Sequence, residues 1–195
     1  MIFTKITYNI NSFLEVIMKK SNSFKYTIIS GIIVMILGTL LHFVYEWTCD
    51  NKCIAAVSAV NESTWEHLKL IFYPMFLTTI IGYFVIGKEY SNFLFARLLG
   101  ILTAISFTII FFYTYSGIVG NNFAPIDIGI FFVAVILGEF VSYKVLNSGL
   151  KCNKYASLSL LIALLLCFIV FTYKVPRIGL FRDPLNSSYG IEEEK

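Results

Sequence analysis

The sequence predicts an all-α protein, an integral membrane bundle of about five transmembrane helices, and three observations lead there. Hydrophobic residues make up 57% of the 195 positions and charged residues only 14%, where a soluble domain carries about 25% charged. Mean hydropathy is +0.77. The apolar residues are also gathered into runs of about twenty, the length a helix needs to cross about 30 Å of hydrocarbon.

At the N-terminus, Phe3, Ile6, Ile10, Phe13 and Ile17 recur at helical spacing, while Asn9, Asn11 and Glu15 interrupt any continuous apolar run. Residues 1–25 therefore read as an amphipathic or flexible extension with the basic pair Lys19 and Lys20, and as a poor signal peptide. The bundle itself is expected over residues 26–174. Its first span runs from about Tyr26 to Trp47 and stays uncharged until His42 and Glu46. A short connection carrying CDNKC and AAVSAV leads to the second span, from Ser63 or Thr64 to about Ile86. Asn61 or Ser63 can cap it, and Pro74 is expected to bend it.

The third span, Phe93 to Tyr115, is closed by the turn sequence SGIVGNN. The fourth, about Pro125 to Val145, starts with a proline, whose missing N–H costs nothing in a first turn, and with Asp127 at the positive end of the helix dipole. Tyr155 to Tyr173 is the cleanest apolar run. Residues 175–195, VPRIGLFRDPLNSSYGIEEEK, are broken by two prolines and read as a non-helical, extracytoplasmic tail. Gly31, Gly38, Gly100, Gly117 and Gly138 suit close helix packing, although none forms a GxxxG pair within a span.

Lys and Arg are unequally shared between the two sides. A cytoplasmic N-terminus puts Lys5, Lys19, Lys20, Lys25, Lys88, Arg97, Lys144, Lys151 and Lys154 inside, and leaves Lys52, Lys174, Arg177, Arg182 and Lys195 outside. This bias predicts N-terminus in and C-terminus out. A net charge of +3 without a basic, aromatic-interleaved surface gives no sign of nucleic-acid binding. The four cysteines, at 49, 53, 152 and 167, define no disulfide framework. The halves show no repeat, which argues against a standard secondary transporter. The partner the composition implies is the lipid bilayer, with a homo-oligomer or a partner membrane subunit left open.

The polar residues that need explaining sit at one membrane face. His42 and Glu46 share a helix face at the end of the first span, while Glu62, Trp65, Glu66, His67 and Lys69 crowd the start of the second. These residues are the candidate ligand-binding set. Within it, His42, His67 and Glu66 are the candidate metal ligands, since imidazole and carboxylate donors with an open position suit Zn²⁺ and can activate water for hydrolysis. No HExxH motif or paired CxxC supports that chemistry, and no cofactor motif is present; a divalent metal is the one cofactor the donors admit. The alternative is structural, with helix-end charges solvated among headgroups and Glu46 or Glu66 paired with Lys69. Two readings of function follow: a non-enzymatic protein that binds a ligand or ion at this cluster, or a metal-dependent intramembrane hydrolase. Deeper in the bundle, Arg97 and Glu139 are expected at similar depth near the cytoplasmic face and form a candidate structural ion pair.

The segments LHFVYEW at 41–47, VNESTWEHLKLIFYPM at 60–75, IGKEYSNFLFARLLG at 86–100, FYTYSGIVG at 112–120 and LFRDPLNSSYGI at 180–191 together resemble an uncharacterised family of small multi-pass bacterial membrane proteins. The most distinctive stretch is Asn-Glu-Ser-x-Trp-Glu-His. The resemblance spans about residues 25–191 and implies a bacterial cell-membrane location, with no activity to carry over. It also takes in the tail, so LFRDPLNSSYGI is expected to fold back over the outer face, bringing Arg182 and Asp183 towards the glutamates and histidines.

Overall fold

The computed structural model describes the backbone of residues 2–191 and the side chains of Glu15 and residues 17–191. Five helices form it: α1 (Ile2–Trp47), α2 (Thr64–Val85), α3 (Phe93–Val119), α4 (Ala124–Leu146) and α5 (Lys154–Tyr173), with no β-strand among the described residues. All five are long and apolar enough to cross a membrane, α1 from Ile17 onward. The chain is an all-α, multi-pass membrane protein.

Helix α1 runs unbroken for 46 residues, through the junction where a separate extension is expected to end. Its polar residues there do not break it, because they bond within the helix: Ser23 Oγ donates to Lys20 O and Thr27 Oγ1 to Ser23 O. The amphipathic face at Phe3, Ile6, Ile10 and Phe13 lies outside the described side chains. Ser23, fully buried, also meets Asn147 beyond α4, so this part of α1 is docked.

Helix α2 is the centre of the bundle. Its apolar window is 56% buried against the rest of the protein, compared with 22% for α1 and for α5. Leu68, Ile71, Phe72 and Met75 of α2 pack with Val34, Leu98, Ile101, Val135, Leu161 and Phe168 to form the main core. Outward Ile28, Ile32, Phe84, Ile110, Ile136 and Leu166 are exposed; in a bilayer they meet acyl chains.

Helix α3 passes the expected stop at Tyr115 and ends one turn later. Ser116 Oγ donates back to Phe112 O, and the chain turns only at Gly120, whose φ of 78° suits a residue without a Cβ. Helices α3 and α4 then meet through a glycine from each. A Cβ on Gly138 would fall 2.7 Å from Gly100 O, and one on Gly100 2.6 Å from Gly138 O.

Arg97 and Glu139 lie in this contact, fully buried and nearly so, with Nη1 2.6 Å from Oε2. The other two nitrogens of the guanidinium are also hydrogen-bonded: Nε donates to Thr79 Oγ1, and Nη2 to Thr78 Oγ1 and Ser30 Oγ. Ser30 in turn donates to Glu139 Oε1 at 2.8 Å. One charge pair thereby ties α1, α2, α3 and α4 together.

The tail folds back over the end where α1 finishes and α2 begins. A 3₁₀ turn at Gly179–Phe181 buries Phe181, whose ring lies 4.6 Å from that of Trp65. An antiparallel bridge between Arg182 and Tyr189 follows. Gly190 O accepts from Asn61 Nδ2 at 2.9 Å.

Candidate metal centre

The connection between α1 and α2 is held from below by a buried ion pair. Lys69 Nζ lies 2.6 Å from Glu66 Oε2 and also donates to Ala55 O at 2.9 Å and Ser58 O at 3.4 Å. Glu66 Oε2 accepts from Val60 N. The pair therefore grips the connecting loop on both sides of Ser58. Ser58, itself fully buried, inserts its hydroxyl into α1, donating to Leu41 O and accepting from Tyr45 N. Those two groups are the acceptor and donor of one helical turn, so the hydroxyl sits at the backbone of α1 itself. His42 is the next residue after Leu41, so the loop fixes the local course of the helix that carries it.

On the other side of this scaffold, His42, Glu62 and His67 converge. Each offers one ligand atom, all within 4.8 Å of one another. His67 Nε2 lies 3.4 Å from Glu62 Oε2 and His42 Nε2 3.8 Å from Glu62 Oε1. Tetrahedral Zn²⁺ with bonds near 2.0–2.1 Å separates its donors by about 3.3 Å, so the His67–Glu62 spacing matches an ion and His42, nearest to the other carboxylate oxygen, would have to draw closer. The histidine rings lie 5.4 Å apart. Side chains 30–42% exposed leave a path for an ion to enter.

The hydrogen bonding of His67 sharpens this. Its Nδ1 is 3.0 Å from Ser63 O; a carbonyl can only accept, so Nδ1 carries the hydrogen. In the neutral ring, Nε2 then turns a bare lone pair towards the Glu62 carboxylate. Two electron-rich groups at that distance repel unless a positive charge lies between them, supplied by a proton or by a metal ion. Fixing one imidazole nitrogen on a carbonyl is also how metal-binding histidines are oriented. His42 has no such anchor: its Nδ1 is buried without a hydrogen-bond partner among the described residues. Packing against Phe43 and His67 holds that ring.

Glu62 is positioned by the tail. Its backbone N–H donates to Asp183 Oδ2 at 3.0 Å, and Asp183 is buried. Arg182, by contrast, turns to Ser187. Glu62 precedes the helix, since Ser63 is the N-cap and accepts from Glu66 N; helical spacing therefore does not govern where its side chain goes. Glu66, one helical step or about 100° round from His67, turns inward to Lys69. Among the expected metal candidates the structure thus joins His42 and His67 with Glu62, and turns Glu66 inward. Glu46 is exposed and outside the group. Trp65 stacks on Phe168 at 4.6 Å, away from the histidines. Asp183, expected with the folded-back tail to approach the glutamates, reaches the backbone of Glu62, whereas Ser58 carried no chemical signal of its own in the sequence.

Beside the three donors lies a cavity of about 310 Å³. Gly38 forms part of its wall, where a Cβ would lie 2.5 Å from Leu70 O. Pro74 has no N–H to offer that carbonyl, so α1 approaches α2 at the carbonyl that the proline leaves without its helical partner.

A family described as of unknown function, DUF6512, matches residues 16–191 of the chain, and the chain belongs to it. No curated protein and no solved structure matches.

Proposed function

We propose that this DUF6512 member is a cell-membrane protein that binds a divalent cation of the Zn²⁺ class through His42, Glu62 and His67. The observation that carries the proposal is the convergence of the His67 Nε2 lone pair and the Glu62 carboxylate at 3.4 Å, with His42 Nε2 completing three donors. His₂Glu is a donor set that Zn²⁺ accepts with a fourth position open. The proposed setting is a bacterial membrane, as the resemblance implies, with the N-terminus cytoplasmic and the centre at the outer face, an orientation supported by the Lys and Arg distribution.

The test is metal content and affinity of protein purified in detergent. Wild type is expected to bind one Zn²⁺, and His42→Ala, His67→Ala and Glu62→Gln each to weaken it by more than about 100-fold, beyond the loss typical of outer-shell changes. Unfolding temperature read on the same samples separates a lost ligand from a lost fold. Unchanged zinc affinity in the folded variants would exclude the site and leave a protonated His67–Glu62 pair. Asp183→Ala, which frees the Glu62 N–H without touching a ligand, is expected to cost about tenfold in affinity.

A second reading, a metal-dependent hydrolase, draws on one further observation: the cavity opens beside the three donors, where a metal-bound water and a substrate could meet. Hydrolysis that requires zinc and disappears in Glu62→Gln would select it over a binding role.

A further inference from the structure

At the end of the bundle where α2 and α4 begin, His42, Glu62 and His67 share the cavity lining with Thr64, Asn122 and Asp127. Most of the other lining side chains are apolar, Phe43, Ile128, Phe131 and Phe132 among them, and the two further threonines, Thr39 and Thr108, donate their hydroxyls to their own helices at Met35 O and Ala104 O. The apolar wall belongs to helices that span the bilayer. Phe43, Phe132 and Ile128 nonetheless keep 41%, 37% and 56% of their surface exposed. Cavity-lining side chains this exposed mean that the cavity is not closed, and these three put its open side at α1 and α4. At about 310 Å³ the space is at the small end of ligand cavities, suited to one chain rather than a two-chain lipid.

The polar end sets the sign of the head group. A divalent ion on two neutral imidazoles and one carboxylate keeps a net positive charge, and its open position favours an oxygen anion. The other carboxylate at this end, Asp127, keeps its negative charge but is turned to Tyr115 Oη and Asn122 Nδ2, from which it accepts, so the place for an oxyanion is the open position of the ion itself. We propose that the cavity binds a single-chain amphiphile, with an oxyanion head on the ion at His42, Glu62 and His67 and its alkyl chain between α1 and α4. This rests on the cation-binding reading.

Native mass spectrometry of the detergent-solubilised protein reads zinc and amphiphile on the same molecule. With dodecyl phosphate as the probe, the zinc-loaded protein is expected to carry one copy, and the zinc-free protein to hold it about tenfold or more less tightly. Inorganic phosphate, the head without the chain, is expected to bind more weakly by a similar factor. Ile128→Trp and Thr39→Trp each add an indole to an exposed position in the cavity wall; both are expected to retain zinc and lose about tenfold in dodecyl phosphate affinity.

Zinc binding without dodecyl phosphate binding would overturn this inference alone, whereas failure of wild type to bind zinc would overturn the cation reading with it. Equal binding of dodecyl phosphate to zinc-free protein would remove the head from the ion. Equal binding by both tryptophan variants would remove the chain from the cavity, and inorganic phosphate binding as tightly as dodecyl phosphate would leave the chain no role.

Discussion

At the scale of single residues, Lys69 carries the largest consequence. It is completely buried, Glu66 is 2% exposed, and together they hold three backbone groups of the loop that wedges Ser58 into α1. Lys69→Ala leaves a buried carboxylate with one N–H from Val60 in place of an ammonium, a loss of about 3–5 kcal/mol. Replacing both members, as Glu66→Gln with Lys69→Met, avoids the orphaned charge and is expected to cost clearly less. Unfolding in a denaturing detergent series measures both, and equal stability of wild type and Lys69→Ala would refute the clamp. Much of this end was legible from residue type alone: two histidines and three glutamates flanking a short connection pointed to one polar cluster. Which glutamate joined the histidines was not legible. That depended on Glu62 standing before the N-cap, where the buried Asp183 of a distant tail holds its backbone.

At the scale of elements, the five spans were visible because continuous apolar runs and the scarcity of charge suffice to place a helix in lipid. Contacts between helices were harder to see. Gly100 and Gly138 are thirty-eight positions apart in the sequence and form no motif within either helix, yet their carbonyls face one another's Cα across the α3–α4 contact. The Arg97–Glu139 pair follows from that approach, since both side chains lie within a few residues of it. The expected pairing rested on depth alone; the hydroxyls of Ser30, Thr78 and Thr79 that complete it gave no warning in the sequence. Gly138→Leu should separate the two helices and cost at least about 1–3 kcal/mol, the usual penalty for overpacking. Gly129→Ala, where a Cβ meets nothing within 4 Å, is the matched control and should leave stability unchanged or slightly raised. Equal unfolding temperatures for Gly138→Leu and wild type would show that the glycine contact does not limit the approach.

At the scale of the whole molecule the two ends differ in kind. One end is tied by Tyr90 Oη to Lys19 O, Asn92 Nδ2 to Val145 O and Ser23 to Asn147, contacts that close the bundle without gathering chemistry. The other end gathers the candidate metal donors, the clamped loop and the returning tail, with Tyr173 Oη also donating to Lys52 O at 2.7 Å. The proposed orientation puts this second end outside the cell, and the native cysteines can read it. Cys49 and Cys53 are exposed on the connection at that end, while Cys152 lies between α4 and α5 at the opposite one. Cys167 sits within a membrane-spanning helix, out of reach of a water-borne reagent. A membrane-impermeant maleimide applied to intact cells should therefore label wild type, and Cys49→Ser with Cys53→Ser should abolish that signal while leaving Cys152 reactive after permeabilisation. Labelling of Cys152 in intact cells would instead reverse the bundle and place the metal centre in contact with the cytoplasm, where the available metal pool and the accessible amphiphiles differ.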